Sequence, residues 1–308
     1  MPKPKKLSQE SFGRAAEFIR KHARPLDRAR FEFHFGEGRV EQVVEELVQF
    51  QNPDGGFGNA IEPDIRMPSS SALFTSVGFQ TAREIELGAD NAIVRQGIEY
   101  ITRNFSEELG GWEPNPPEVQ SYPRAQWWEY EPVDGGLGTM RVLNPGAELL
   151  GYLLDYSELT DERIIDAATE SVLSTLESHL HDPEFHALLC VGRLFSTADF
   201  LVDDDLEPKF KDAVHSICEE GSTSWESYGA KPLWFANSPA SYLGAELKDL
   251  CERQLLFELD HQQVDGSWIP NWAWGRYESE WEQASNEWAG YLTVQNLIAF
   301  RNWNWLEN

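Results

Sequence analysis

The stretch Gln51-Asn-Pro-Asp54-Gly-Gly-Phe57 decides how this chain is read. An amphipathic run leads into an acid, a glycine pair and an aromatic ring, the composition of a tight turn closed by a bulky side chain. The same order returns in Ile101-Thr-Arg-Asn-Phe105-Ser-Glu-Glu-Leu-Gly-Gly111-Trp112, without the Asp, and in Leu259-Asp-His-Gln262-Gln263-Val-Asp265-Gly-Ser-Trp268. In the last copy either Gln262 or Gln263 takes the place of Gln51. Weaker copies end at Phe185 and Trp225. The aromatic ends at 57, 112, 185, 225 and 268 lie 55, 73, 40 and 43 residues apart, which fits a repeat of about 40–55 residues with one long insertion.

Between the turns, apolar residues recur at helical spacing. Ile164, Ile165, Ala168, Val172 and Leu176 form one stripe, and Leu243, Leu247, Leu250, Leu255 and Leu259 another. Asp90-Asn and Thr160-Asp-Glu-Arg read as helix starts, and Pro145, Pro208 and Pro232 sit where a first turn tolerates proline. Helices are expected near 9–22, 38–51, 69–87, 91–105, 145–157, 161–179, 184–199, 207–219, 241–259 and 283–302, with almost no strand signal. Each repeat is then a helix pair that needs a neighbour to bury its apolar face. The expected architecture is all-α, one domain over 1–308. It is interrupted by a Pro-, Gly- and aromatic-rich insertion at 113–144 and a second aromatic loop at 269–282.

Composition narrows the partners. With 52 acidic and 25 basic side chains the formal net charge is −27, so nucleic acid and anionic membrane surfaces, which need Lys and Arg against each phosphate, are poor partners. Part of this acidity sits at helix caps such as Asp203-Asp-Asp205, and with only eight Lys a saline or alkaline habitat is an alternative source for it. Twelve Trp, 17 Phe and nine Tyr supply the bulk of a core. Cys190, Cys218 and Cys251 have no C-x-x-C spacing, which argues against a disulfide framework and makes a reducing cytoplasm the expected location. No signal-peptide core and no apolar stretch of about eighteen residues is present, so neither export nor a transmembrane segment is expected.

The Gln-x-x-Asp-Gly-x-aromatic turn at 51–57 and 262–268 resembles the repeat of the terpenoid cyclase and protein prenyltransferase superfamily, the squalene cyclase-like repeat. Gly55-Gly-Phe-Gly-Asn-Ala-Ile-Glu-Pro-Asp-Ile-Arg-Met-Pro-Ser-Ser also resembles a bacterial prenyltransferase-like group. The resemblance spans about 38–302 and implies an α/α toroid of five to six helix pairs, in which Gln ties adjacent helices and the aromatic plugs the space between them. It also implies a small-molecule or oligomeric substrate in a central, aromatic-lined cavity. Three family motifs are missing. Val202-Asp-Asp-Asp205 lacks the first Asp of the cyclases' Asp-x-Asp-Asp proton donor and reads as a helix cap. No Cys sits in the prenyltransferase zinc context, and no Asp-Asp-x-x-Asp face for magnesium diphosphate occurs. His179-x-His181-x4-His186 straddles two helix ends, which account for it without zinc. No metal and no cofactor are expected.

Candidate chemistry sits in loops over the scaffold. Glu62-Pro63-Asp64-Ile65-Arg66 follows the first turn. Two carboxyls beside one Arg, in apolar sequence, can differ in proton affinity as general acid/base work requires, or can form a structural salt bridge. Glu62 and Asp64 are the candidate catalytic acids. Arg66, Trp127, Trp128, Trp272, Trp274, Arg276, Glu287 and Trp288 are the candidate substrate-binding residues, their rings suited to stacking on sugars or shaping a hydrocarbon cavity. Trp268, Trp303 and Trp305 read as packing. The expected function is an isoprenoid cyclase- or prenyltransferase-like enzyme. A carbohydrate-active enzyme with paired carboxylates or a non-catalytic binding scaffold are the competing classes.

Overall fold

The computed structural model describes residues 5–130, 142–223 and 225–307, so Pro132, Gly135, Gly136 and Gly138 of the insertion lie outside the described residues. Those residues are all-α. The helices are α1 (Gln9–His22), α2 (Pro25–Phe35), α3 (Val40–Leu47), α4 (Ala72–Glu84), α5 (Ala92–Arg103), α6 (Gly146–Asp155), α7 (Glu162–His179), α8 (Phe185–Phe195), α9 (Leu206–Gly221), α10 (Pro232–Phe235), α11 (Lys248–His261) and α12 (Glu278–Asn302). β-Structure among them is confined to isolated bridges. The chain divides into two compact units, a first built from both ends of the chain (1–46 and 215–308) and a second from 47–214. None of these helices is long and apolar enough to cross a membrane.

Local chemistry explains most boundaries. Ser8, Ser71, Asn91, Asp161 and Glu184 each accept a hydrogen bond from a first-turn amide of the helix they precede, which satisfies a donor the helix cannot. Asp203 accepts from the amides of Asp205 and Leu206 at 3.0 and 2.8 Å and so caps α9. The expected helix at 241–259 begins later. The chain turns tightly at Gly244, where an added Cβ would come within 2.5 Å of the Pro239 carbonyl, and regular helix starts only at Lys248.

Two helices were not anticipated. α10 is a single turn, too short for a periodic pattern. α2 hides because its buried face carries Asp27 and Arg30, both at most 2 % exposed, next to Leu26 and Phe31. Asp27 holds Arg24 at 2.8 Å and Arg30 at 3.4 Å. Burial pushes the Arg24 guanidinium down, but Asp27 outweighs it and the net shift is upward.

In the first unit α1, α2 and α12 pack together. Gly290 lets α12 approach closely, since a Cβ there would lie 2.8 Å from Ala23. Phe31 stacks on Phe35, and Phe12 meets both. In the second unit α6 is buried on nearly every side and packs against α4, α7 and α8. Its core includes Phe79 against Tyr152 at 5.0 Å.

The turns repeat atom for atom. Gln51 Nε2 donates to the Gly55 and Ile93 carbonyls at 2.9 and 3.0 Å. Gln262 Nε2 donates to those of Gly266 and Ser11, both at 3.0 Å, so Gln262 rather than Gln263 fills this role. The Phe57 amide donates to Thr75 Oγ1 at 3.1 Å and the Trp268 amide to Thr293 Oγ1 at 3.0 Å. Gly55 and Gly266 have φ of 89° and 93°. An added Cβ would lie 2.3 Å from the backbone of Gln96 in α5 and of Arg14 in α1, respectively. In the third copy Gly110, at φ 60°, faces Ser171 of α7 at 2.5 Å, and Trp112 Nε1 donates to the Ile101 carbonyl at 2.7 Å. Phe185 begins α8 rather than ending a turn.

Candidate functional site

In the second unit the chain leaving Phe57 is pinned before it reaches the candidate acids. The Gly58 amide donates to Phe50 O at 2.8 Å and the Asn59 amide to Pro68 O at 3.1 Å. Asn59 and Ala60 both hold left-handed φ, 55° and 57°. Such backbone persists in a residue with a Cβ only where its surroundings over-determine it, and it concentrates at functional loops.

Glu62-Pro63-Asp64-Ile65-Arg66 then runs antiparallel to Pro123-Arg124-Ala125. The Arg66 amide donates to Pro123 O and the Ala125 amide to Asp64 O, each at 2.9 Å, with Ile65 bridged to Arg124. Glu62 and Asp64 are 8 % and 3 % exposed, among the fully buried Ile61, Ile65 and Met67. Arg66 donates to the Pro63 carbonyl at 3.3 Å. Arg124 donates to the Gln120 and Tyr122 carbonyls and lies 4.0 Å from Glu129. Trp127 and Trp128 occupy the 3₁₀ turn that follows Ala125. Trp127 is 48 % exposed, whereas Trp128 is half-buried and its Nε1 is enclosed with no acceptor. The pairing thus brings the Glu62–Arg66 segment to the chain that carries Trp127, Trp128 and Glu129.

The remaining candidates belong to the first unit. Trp272 and Trp288 meet edge to face at 5.2 Å. Trp274 is buried, with its ring 5.7 Å from that of Trp281. Arg276 lies over the Tyr277 ring at 5.4 Å. Glu287 accepts from Gln283 at 2.8 Å and adds its charge to the field on Arg24.

Sequence reading missed two enclosed carboxylates. Glu148 of α6 is 1 % exposed. It accepts from Tyr152 Oη at 2.6 Å, Arg193 at 2.9 Å and Gln80 at 3.3 Å, with Cys190 Sγ at 3.8 Å. Burial first and Glu148 second push both the Tyr152 phenol and the Cys190 thiol well up, which leaves Cys190 a weak nucleophile. Glu258 of α11 is the counterpart in the first unit, held by Gln254 at 3.1 Å, Asn296 at 3.4 Å and Lys231 at 3.7 Å. The one available signal was a lone Glu in the apolar run Ala147-Glu-Leu-Leu-Gly-Tyr-Leu-Leu154.

Metal chemistry finds no converging ligand set: among the described residues no three of His, Cys, Asp and Glu group around a common point. His186 Nδ1 meets Glu184, and His179 Nδ1 donates to the Thr175 carbonyl at 2.8 Å. A cavity between α7 and α8, lined by Leu143, Leu176, Leu180 and Leu188, has room of about 10 Å³, no more than one water. All three cysteines are free and buried. No protein-family profile, curated protein or solved structure matches the chain.

Proposed function

We propose that this chain is an α/α toroid of the terpenoid cyclase and prenyltransferase kind, acting on an isoprenoid with Glu62 or Asp64 delivering the initiating proton. The observation that carries this reading is the third placement of one turn. The turns at 51–57 and 106–112 press a glycine against α5 and α7, in each case the second described α-helix after the turn. The turn at 262–268 presses Gly266 against α1, the first helix of all. Within the first unit Gly266 thus makes at α1 the contact that Gly55 and Gly110 make within the second, the repeated packing of a turn on a helix pair that the proposed toroid is built from.

Acid initiation suits the residues better than diphosphate ionisation. A leaving diphosphate calls for clustered cations, while Arg66 and Arg124 direct guanidinium N–H groups at loop carbonyls. In the proposed step a carboxylic acid of the 62–64 pair gives its proton to one alkene carbon, and the π electrons form the new C–H bond. The more substituted carbon becomes the cation, and a carboxylate remains. Aromatic faces stabilise such a cation, and loss of a proton or addition of water ends the reaction.

The test is incubation with squalene, farnesol and geranylgeraniol, with products separated by gas chromatography and mass spectrometry. A cyclised product whose formation falls by roughly 10²–10⁴-fold in both Glu62→Gln and Asp64→Asn, or in one of them, is expected for a general acid. Turnover unchanged in both variants removes the acid assignment. If no isoprenoid is converted, or retained by the native protein in mass spectrometry, the substrate class is wrong.

A further inference from the structure

The loop that carries Glu62-Pro63-Asp64-Ile65-Arg66 leaves the first turn at Gly58 and returns at Ser70, and one side chain grips both of its feet. Asn52 Nδ2 donates to the Pro68 carbonyl and to Ser70 Oγ, each at 3.0 Å. Asn52 Oδ1 accepts from Asn59 Nδ2 at 3.2 Å. Asn59 stands at the outgoing foot, Pro68 and Ser70 at the incoming one. The Asn59 amide meets the same Pro68 carbonyl at 3.1 Å. Gly58 makes room for this clasp, since a Cβ there would lie 2.6 Å from Asn52 Nδ2 and 2.2 Å from the Pro68 oxygen. Ser70 extends the tie, donating at 2.7 Å to Asp54 Oδ1, which the Gly56 amide reaches at 3.0 Å. A loop with joined ends and a middle packed by its own side chains is an Ω-loop, a form that frequently carries function.

The second turn shows that the turn itself does not need this side chain. Gln263 takes the place of Asn52 and repeats its backbone bonds. The Asn52 amide donates to the Gly56 carbonyl at 2.8 Å and the Gln263 amide to that of Ser267 at 2.9 Å, while each residue's carbonyl accepts from the turn glycine at 2.9 Å. The Gln263 side chain is exposed and donates to the His261 carbonyl at 3.2 Å. The bonds of Gln262, Asp265 and the Trp268 amide form all the same. The Asn52 amide therefore serves the loop. Its chemistry suits the task, because a short primary amide brings two donors and an acceptor, where Asp would bring no donor. Beyond the clasp the next anchor is the pairing of 64–66 with 123–125, so Glu62 lies between the two anchors and Asp64 begins the second.

We propose that Asn52 is the positioning residue of the acid segment, the side chain through which the repeat turn sets where Glu62 and Asp64 stand. This rests on the reading of those two residues as the acids. A proton donor misplaced by about 1 Å can lose some 10²-fold in rate, so a clasp at the feet of the loop acts on the chemistry without touching the substrate.

The experiment labels the carboxyl groups of the full chain with a water-soluble carbodiimide and glycine ethyl ester in mild acid, and reads each site by peptide mass spectrometry. Glu62 and Asp64, 8 % and 3 % exposed, should react slowly in the parent. In Asn52→Ala both should react about tenfold faster or more, as the loop opens locally. Glu148, 1 % exposed in the same unit, should keep its parent rate and so reports any general loosening. Asn52→Asp, which keeps the acceptor for Asn59 and loses both donors, should fall between parent and alanine variant, and it serves where Asn52→Ala lacks a native circular dichroism spectrum. Gln263→Ala should label like the parent. On any isoprenoid the protein converts, Asn52→Ala should lower kcat by about 10²-fold with KM little changed. The proposal is overturned if labelling of Glu62 and Asp64 is unchanged in both Asn52 variants, if it rises no more than that of Glu148, or if Asn52→Ala turns over at the parent kcat. The labelling needs no turnover, so it still decides whether Asn52 holds the loop when Glu62→Gln and Asp64→Asn leave turnover intact, the result that removes the acid reading alone.

Discussion

The turns at 51–57 and 262–268 share the hydrogen bonds of Gln, Asp and the aromatic amide, and part at the position after the shared glycine, Gly56 in one and Ser267 in the other. In the first, Gly56 leaves room for the ring of Tyr100, which comes within 2.6 Å of where its Cβ would be. Asp54 then takes its hydroxyl partner from Ser70, at 2.7 Å. In the second, Ser267 stands in place of Gly56 and supplies that hydroxyl itself, to Asp265 at 2.8 Å. The frame is fixed by what the backbone needs: an acceptor side chain over a turn amide, a long amide joining two carbonyls, a glycine at positive φ. The space beside the frame is free to hold either a neighbour's ring or the turn's own side chain.

If that frame is what matters, its glycines are the most sensitive points. Gly55→Ala and Gly266→Ala each meet backbone at 2.3 Å with φ near 90°, so each should cost about 2–4 kcal/mol, the sum of the conformational and packing penalties. Gly110→Ala should cost about 1–2 kcal/mol, because φ 60° is a left-handed well that alanine can enter and the obstacle is the hydroxyl of Ser171, which can rotate away. Urea midpoints separate these cases. Equal losses at all three positions would show that the third turn is built like the others.

The glutamines come next. Gln51→Ala and Gln262→Ala each remove two hydrogen bonds and should cost about 1–2 kcal/mol. Gln263→Ala should be nearly silent, since Gln263 is exposed and its side chain reaches only the His261 carbonyl at 3.2 Å. A loss at Gln263 matching that at Gln262 would break the correspondence. Thr75→Val and Thr293→Val keep shape and lose the acceptor for the aromatic amide, about 1 kcal/mol each. Ser267→Gly, which makes the second turn resemble the first without giving Asp265 a Ser70, should cost less, about 0.5–1 kcal/mol.

The turn was readable in sequence because its determinants are local: Asp, Gly and an aromatic within four residues announce it whatever surrounds them. Helices with one apolar face were readable for the same reason, α1 and α7 most closely. α2 was not, because Asp27 and Arg30 occupy its buried face and satisfy each other there, which breaks the periodic signal. The acid segment was visible through Glu62-Pro63-Asp64, but its pairing with Pro123–Ala125 joins residues some sixty positions apart and leaves no local mark. Glu148 is harder still. Its partners come from positions 80, 152, 190 and 193 on three helices, and only packing puts them together.

The finest distinction between the two turns concerns Tyr100. Burial first, and the nearby Asp54 charge second, push its phenol up to about 12 from the ordinary 10.0. Tyr100 sits in α5 four residues beyond Gln96, and the residue four beyond Arg14 in α1 is Phe18, which cannot ionise. The unfolded chain loses the Tyr100 proton from about pH 10 while the folded chain keeps it to about 12. Between those values the unfolded state binds fewer protons, so stability falls as pH rises, by at most about 1.4 kcal/mol per pH unit. Below pH 10 both states hold the proton and the contribution is constant. Asp54→Asn should move the phenol down while leaving it above 10, because burial, the larger cause, is untouched. Ultraviolet titration of phenolate absorbance, compared with Tyr100→Phe, reads this directly. A phenol at 10 in the parent, or an Asn variant that titrates no lower than the parent, would mean that the space beside Gly56 is not the closed, acid-flanked slot that separates this turn from its counterpart.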